Sequence, residues 1–263
     1  MELLAPDEFR AVLPLLPTAH NAGHMTMVHA VIEGVMPGKV LVDSLERPRS
    51  AIVLNDCGFH AALGEPPSEP LRPLITMIAA DLVSAEPGLL IDITGSWSSI
   101  LSGVFPPSYF RNEYHAPAIV PPSRPVPDGF SLVPITAEIA KKFDGAVDPW
   151  VVRIWGGPEA FVAKSFGYAT LDANGNLAGF CTSCGIGGGE AEIEIGTNGQ
   201  FRQRGLAHVA ATRFMAESYR RGLVPAWTCQ SDNEPSCRLA ESLGYECFRK
   251  VECFPLNQGF VPK

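Results

Sequence analysis

The sequence predicts an α+β fold: a mixed, mostly antiparallel central sheet flanked by helices, preceded by an α/β lobe. Three observations carry that expectation. Asn174-Gly175 falls between two strand-like runs, and Asn-Gly is a strong hairpin signal because both residues tolerate positive φ. Glu190-Ala191-Glu192-Ile193-Glu194-Ile195 alternates strictly, as a half-buried strand does. Leu206, Val209, Ala210 and Phe214 then recur at helical spacing along Gly205 to Arg221.

The elements follow in order. Residues 22–35 read as a helix closed by Pro37-Gly38, and Lys39 to Val42 and Ala51 to Leu54 as short strands around a Pro48 turn. A helix is expected over 69–84 and a buried strand over Leu89 to Ile93. Pro121 to Gly129 is proline-rich, favours extended backbone and reads as a linker. The predicted organisation is an N-terminal lobe (1–120), the linker (121–129) and a second domain (130–263).

In that domain Phe130 to Val133 reads as a strand, and Ala137 to Phe143 and Pro158 to Lys164 as helices, with Pro158 suited to a first helical position. The hairpin strands are Tyr168 to Leu171 and Leu177 to Thr182. Arg220 and Arg221 end the long helix, where its dipole favours cations, and Gly222 stops it. Pro225 to Cys229, Glu234 to Ser242 and Tyr245 to Phe254 complete the order as strand, helix and strand.

Composition narrows the function classes. Of 263 residues 46% are hydrophobic and 18% charged, ordinary for a folded protein, and the net charge of −8 comes without a basic run, which argues against nucleic acid. No apolar run is long enough to span a bilayer, and MELLAPDEFR lacks the basic start of a signal peptide. Seven cysteines, an odd count, read as reduced thiols and a cytoplasmic setting.

The chemistry concentrates between the alternating strand and the long helix. A helix start presents unpaired N–H groups and the positive end of the dipole. Gly205 lets backbone approach an anion, Ala207 keeps the first turn small, and Arg202 and Arg204 add charge, so the loop reads as a diphosphate cradle. It lacks the Lys-Ser/Thr ending of a nucleotide-triphosphate loop and the full G-x-G-x-x-G of a dinucleotide site.

Arg202-Gln203-Arg204-Gly205-Leu206-Ala207 resembles the Q/R-x-x-G-x-G/A loop of the GNAT superfamily of acyl-CoA N-acyltransferases. Downstream, Asn233-Glu234-Pro235-Ser236 and Leu243-Gly244-Tyr245 are similar to that family's later segments. The resemblance covers 130–254, about half the chain. Trp155, Phe161, Gly167-Tyr168, Thr197 and Pro225 to Cys229, with Val42-Asp43, Pro48 and Ala51 earlier, resemble a bacterial group that carries an extra N-terminal lobe. The resemblance implies that this lobe is a degenerate copy of the same fold.

It also implies acetyl-CoA as cosubstrate and a small-molecule primary amine as acceptor, attacking the thioester directly in a ternary complex. The partner is then a small amine, with neither nucleic acid nor membrane, and the protein a monomer or homodimer. Ile193, Ile195 and Thr197 map to the strand that binds pantetheine through its backbone. Arg202 to Ala207, Asn233 and Ser236 map to the other cofactor contacts. Glu192 is the first candidate base, with Glu194 two residues on and Glu190 third; a solvated strand face is the competing reading. The family's thiolate-protonating tyrosine falls on Ala240, which leaves Ser236, Cys237 or water for that step, or no acid at all. This departure keeps open a non-catalytic CoA-binding module.

Other motifs read as structural. His20 and His24, with His29, have helix spacing for a metal but no completing ligands, so no metal is expected. Cys181-Thr182-Ser183-Cys184 is a C-x-x-C within a strand, where the two thiols face opposite ways. Cys57 and Cys229 read as buried thiols, Ser96 as a helix cap, and Tyr245 as a core aromatic. Arg111, Tyr114, Trp97 and Trp155 read either as packing or as the lining of an acceptor cleft.

Overall fold

The computed structural model describes residues 1–17, 25–67, 88–147 and 149–256. The expected helix over 69–84, the start of the helix over 22–35, and His20 and His24 lie outside these residues. The chain divides into two compact units, one of Met1–Glu113, Thr228–Asn233 and Cys247–Lys263, the other of Tyr114–Trp227 and Glu234–Glu246.

The first unit is built on a sheet. Strands β1 (Glu2–Leu3), β2 (Gly38–Val42), β3 (Ser50–Asn55) and β4 (Phe59–Gly64) pair antiparallel in turn. Strand β5 (Leu89–Asp92) adds parallel to β4, from Phe59↔Leu89 to Ala62↔Asp92. Helix α1 (Met25–Ile32) packs on β3 and β4, burying Val28 and Val31 against Val40, Val53, Leu63 and Ile91. The opposite face holds Ile52, Ala62, Leu90 and Trp97.

After β5 comes the short helix α2 (Ser98–Leu101). Ser96 does not cap it. The Asp92 carboxylate at the strand end instead ties down the loop that enters it, accepting the N–H groups of Gly95 and Trp97 at 2.8 Å and the Ser98 hydroxyl at 3.0 Å, while the Ser96 hydroxyl donates to the Gly64 carbonyl. A carboxylate offers more lone pairs than a hydroxyl and satisfies several donors at once. Strand β6 (Tyr109–His115) and the last strand, β12 (Glu246–Pro255), complete this part, β12 running antiparallel to β5 from Asp92↔Glu252 to Leu89↔Pro255. Arg249 of β12 donates to the fully buried Glu113 carboxylate of β6. The strands β4 and β6 are absent from the sequence reading.

The second unit repeats a similar order. Strands β7 (Phe130–Pro134), β8 (Gly167–Asp172), β9 (Leu177–Gly187) and β10 (Glu190–Thr197) pair antiparallel in turn, and β11 (Val224–Gln230) lies parallel to β10. The β8–β9 turn takes positive φ at Gly175 alone, because Asp172 accepts the N–H groups of Asn174 and Asn176 and holds the remaining residues in ordinary conformations. Thr136 caps helix α3 (Ala137–Ala140), which tightens into a 3-10 turn over Lys141–Phe143. Helices α4 (Trp150–Ile154) and α5 (Pro158–Lys164) follow, α5 opening on its proline.

Helix α6 (Leu206–Arg220) packs on β8, β9 and β10. Leu206, Val209, Ala210 and Phe214 are all buried on that contact, and Phe214 stacks on Phe166 at 4.9 Å. Arg220 and Arg221 do more than face the dipole: both grip Glu217 one turn back, which holds its carboxyl at about 2. Helix α7 (Glu234–Ser242) buries Ala240 and leads to β12.

These Asp92 contacts support a stability prediction. Asp92→Ala leaves the buried Trp97 N–H without its acceptor, along with that of exposed Gly95, and is expected to lower unfolding stability by about 2 kcal/mol, with Asp92→Asn losing less, measured by urea denaturation. Equal stability of wild type and alanine variant would remove these contacts from the account.

Candidate active site

The second unit carries Glu192 to Thr197 and Arg202 to Ala207 along one path, from β10 through a turn into α6. The ladder between β10 and β11 runs from Glu190↔Val224 to Glu192↔Ala226, and β10 continues to Thr197 against β9. Ile193, Ile195 and Thr197 lie on that continuing stretch. At the same place the β9 register jumps, from Gly185 opposite Glu192 to Ser183 opposite Ile193, so Cys184 is an extra residue in β9. Such a bulge bends the strand and re-aims neighbouring side chains.

Glu192 stands at this junction and is only 7% exposed, whereas Glu190 and Glu194 are half-buried. The solvated-face reading therefore does not describe Glu192. Strand alternation puts Glu192, Glu194 and Gly196 on one face. Phe180 lies opposite Gly196 and packs on Phe143 at 4.7 Å, so this is the face toward the turn after α3. A Cβ on Gly196 would come within 2.6 Å of the Phe180 ring, which explains a glycine there.

Beyond β10, Asn198 accepts the Gln200 N–H and closes a 3-10 turn over Gly199–Phe201. Arg202 is exposed, with its Nε 3.5 Å from the Thr197 carbonyl. Gln203 has a φ of 63°, the only positive φ outside glycine among the described residues. Arg204 lies over the rings of Phe130 and Phe201, at 5.8 and 5.9 Å. Gly205 is the residue before α6, in the left-handed region at φ 79°, and no side chain caps the helix. The first-turn N–H groups of α6, including those of Leu206 and Ala207, are thus left for an outside acceptor. His208, in that first turn, is held below its ordinary pKa by burial and then by the Arg124 charge.

The remaining predicted residues lie at the start of α7. Asn233 donates its backbone N–H to the Gln230 carbonyl at 3.0 Å. The Ser236 hydroxyl accepts from the Trp227 indole N–H at 3.2 Å. Tyr245 is buried against Trp227, its hydroxyl donating to the Pro225 carbonyl at 3.0 Å, and burial pushes its pKa well up. Its proton is committed to backbone, in keeping with a core aromatic. Trp97 and Trp155 are core residues too, Trp155 donating to the Ser183 carbonyl. The sequence reading passed over Arg124 and Val126, which line a cleft with Arg204 and Gly205. Their signal was the linker composition itself, read as a spacer.

No cluster of histidine, cysteine or carboxylate fit for a metal is present among the described residues, and none of their helices is long and apolar enough to cross a membrane. Cys181 and Cys184 are both buried and no disulfide is present among the described residues.

An antiparallel sheet that ends in a parallel strand pair, with a glycine turn into a long helix, is an arrangement shared with GNAT-like structures. The chain matches the GNAT acetyltransferase family over residues 17–254 and belongs to it. That family uses acetyl-CoA, and family and fold together support acyl transfer. The chain is 26% identical over 226 residues to the uncharacterized N-acetyltransferase YdfB of Bacillus subtilis, covering 84% of this chain and 86% of the relative. Among solved structures it resembles a GCN5-related N-acetyltransferase-like protein from Streptococcus suis, with a TM-score of 0.74 at 22% identity, covering 94% and 98% of the two chains. It also resembles a tandem GNAT protein from the clavulanic acid biosynthesis pathway, with a TM-score of 0.62 at 14% identity, covering 98% and 99%.

The thiols give a direct check on burial. Burial pushes Cys57 and Cys253 up to about 12 and Cys181 well above its ordinary value, so almost none is thiolate at pH 8. A disulfide reagent at pH 8 is expected to label exposed Cys247 quickly and these three only after denaturation. Labelling of Cys57, Cys181 or Cys253 in the native protein at the Cys247 rate would contradict the packing.

Proposed function

We propose that the second unit transfers an acetyl group from acetyl-CoA to a primary amine of a small molecule by direct attack. The observation that carries the reading is the position of Glu192: a buried carboxylate at the last β10–β11 pair, on the strand that leads to the uncapped start of α6. The diphosphate sits on the N–H groups after Gly205, beside Arg204, with Arg202 adding charge. Gln203, Leu206 and Ala207 supply the turn, and Ser236 flanks the cofactor from the α7 side. Pantetheine extends along Ile193, Ile195 and Thr197, and a β10 N–H faces the carbonyl oxygen.

The substrate ammonium gives one proton to Glu192, directly or through water; the neutral nitrogen then forms the C–N bond as the C–S bond breaks, the thiolate leaves, and the second proton on the acylated nitrogen passes to water. Glu194 is the nearby carboxylate of the same face. Ser236, whose hydroxyl accepts from the Trp227 indole, is the candidate group beside the leaving sulfur. Acidic net charge suits a cationic acceptor. Glu192→Gln is expected to lower kcat about 100-fold or more while CoA affinity stays nearly constant. An unchanged kcat would dismiss Glu192 as base; CoA binding without turnover on any amine would favour a non-catalytic module instead.

We also read residues 1–120 as a degenerate copy of the fold carried by 130–263, with 121–129 between them. Support comes from the strand order, four antiparallel strands followed by a parallel fifth, in β1 to β5 and again in β7 to β11. In the first copy the parallel pair stays closed. The ladder reaches Ala62↔Asp92, the Ile93 N–H bonds the Ala62 carbonyl, and Thr94, Ser96 and Trp97 all donate to the Gly64 carbonyl. Asp92 adds a buried negative charge where a diphosphate carrier would need the opposite. Calorimetry is therefore expected to give one CoA per chain, lost in Gly205→Asp. Two equivalents, or similar affinity in the variant, would refute this assignment.

A further inference from the structure

Residues 121–129 read as a spacer in the sequence, yet they lie against the start of α6. Arg124, Val126 and Asp128 line one wall of a cleft of about 600 Å3, and Gln203, Arg204 and Gly205 the other. That volume accommodates a nucleotide. The first wall is graded along its length: a cation at Arg124, an apolar stretch from Pro125 to Pro127, then a hydrogen-bond acceptor at Asp128. Both cations are exposed, and Arg204 lies over two aromatic rings, at 5.8 and 5.9 Å. The Arg124 charge is felt at His208, so the guanidinium stands near the first turn of α6.

A simple inorganic anion needs neither an apolar wall nor an acceptor, and Asp128 would repel it. A nucleotide uses all of these: a flat base against the proline and valine carbons, an amino or hydroxyl donor toward Asp128, and phosphates on the arginines. With the diphosphate assigned to Gly205 and Arg204, the cation left over is Arg124, and the phosphate left over on CoA is the one on the ribose.

We propose that Arg124 binds the ribose 3′-phosphate of CoA, and that the Pro125–Pro127 wall seats its adenine. The inference rests on the CoA reading above and adds a selectivity that reading does not require: the protein distinguishes CoA from its 3′-dephospho form. A bidentate arginine–phosphate contact in a partly open cleft sets the expected preference at about tenfold.

The test is titration calorimetry of wild type and Arg124→Gln with acetyl-CoA and with 3′-dephospho-acetyl-CoA. Wild type is expected to bind acetyl-CoA about tenfold more tightly, and the variant to lose that preference by weakening on acetyl-CoA alone, at an unchanged melting temperature. A role in shaping the segment would weaken both ligands alike and overturn the proposal, as would equal binding of the two by wild type. Binding of neither compound by wild type would overturn the CoA reading itself, and this inference with it.

Discussion

The cofactor end of the second unit depends on one constraint: the chain must leave β10 and enter α6 without capping the helix. Two residues meet it by turning to positive φ, Gln203 at 63° and Gly205 at 79°. Glycine adopts that region freely, but a glutamine there is strained by about 1 kcal/mol. The surroundings offset the strain. Asn198 ties the turn by accepting from Gln200, Phe201 packs edge-on against Phe130 at 5.5 Å, and Arg204 lies over both rings. The turn is thus held by the side-chain contacts of Asn198, Phe201 and Arg204. The same turn leads into the first-turn N–H groups after Gly205, so rigidity and the proposed anion binding come from one arrangement.

How much of this was legible in the sequence depends on whether local pattern or distant partners decided the conformation. The hairpin, the alternating strand and α6 each carry a repeating pattern within a dozen residues, and all three form where expected. Strand β4 was illegible because it is buried on both faces and rich in alanine, so it neither alternates nor shows β-branched residues. Strand β6 reads as Tyr-Phe-Arg-Asn-Glu-Tyr-His, a polar run. Its burial makes sense only once Arg249 meets Glu113, Ser231 meets Asn112 and Thr228 meets Arg111, contacts that span more than a hundred residues. The Asp92 contacts and the wall at Arg124 were missed for the same reason: composition described the segment, and its neighbours set its role.

At the site, residue type was readable and environment was not. The alternation marked Glu190, Glu192 and Glu194 as equivalent, yet only Glu192 is buried, because the Cys184 bulge and the last β11 pair both fall there. A period-two pattern contains no information about where a ladder ends. The register that breaks this equivalence is set by β9 and β11, whose own sequences lie outside the motif.

The departure at Ala240 then shifts the chemical demand within the proposed mechanism. Ala240 is fully buried and the nearest tyrosine in sequence, Tyr245, has its proton committed to the Pro225 carbonyl, so neither can protonate a leaving sulfur. An ordinary thiol has a pKa of about 8.5, whereas an expelled amine would be far more basic. A thiolate therefore departs near neutral pH without an acid. The attacking ammonium has no such ease, since an amine of pKa about 10 must lose a proton before its nitrogen can attack. A chain with alanine at the tyrosine position and a buried carboxylate at the strand junction lacks the less needed of the two groups. This ordering of need is why the reading rests on Glu192 and survives the absence of the tyrosine.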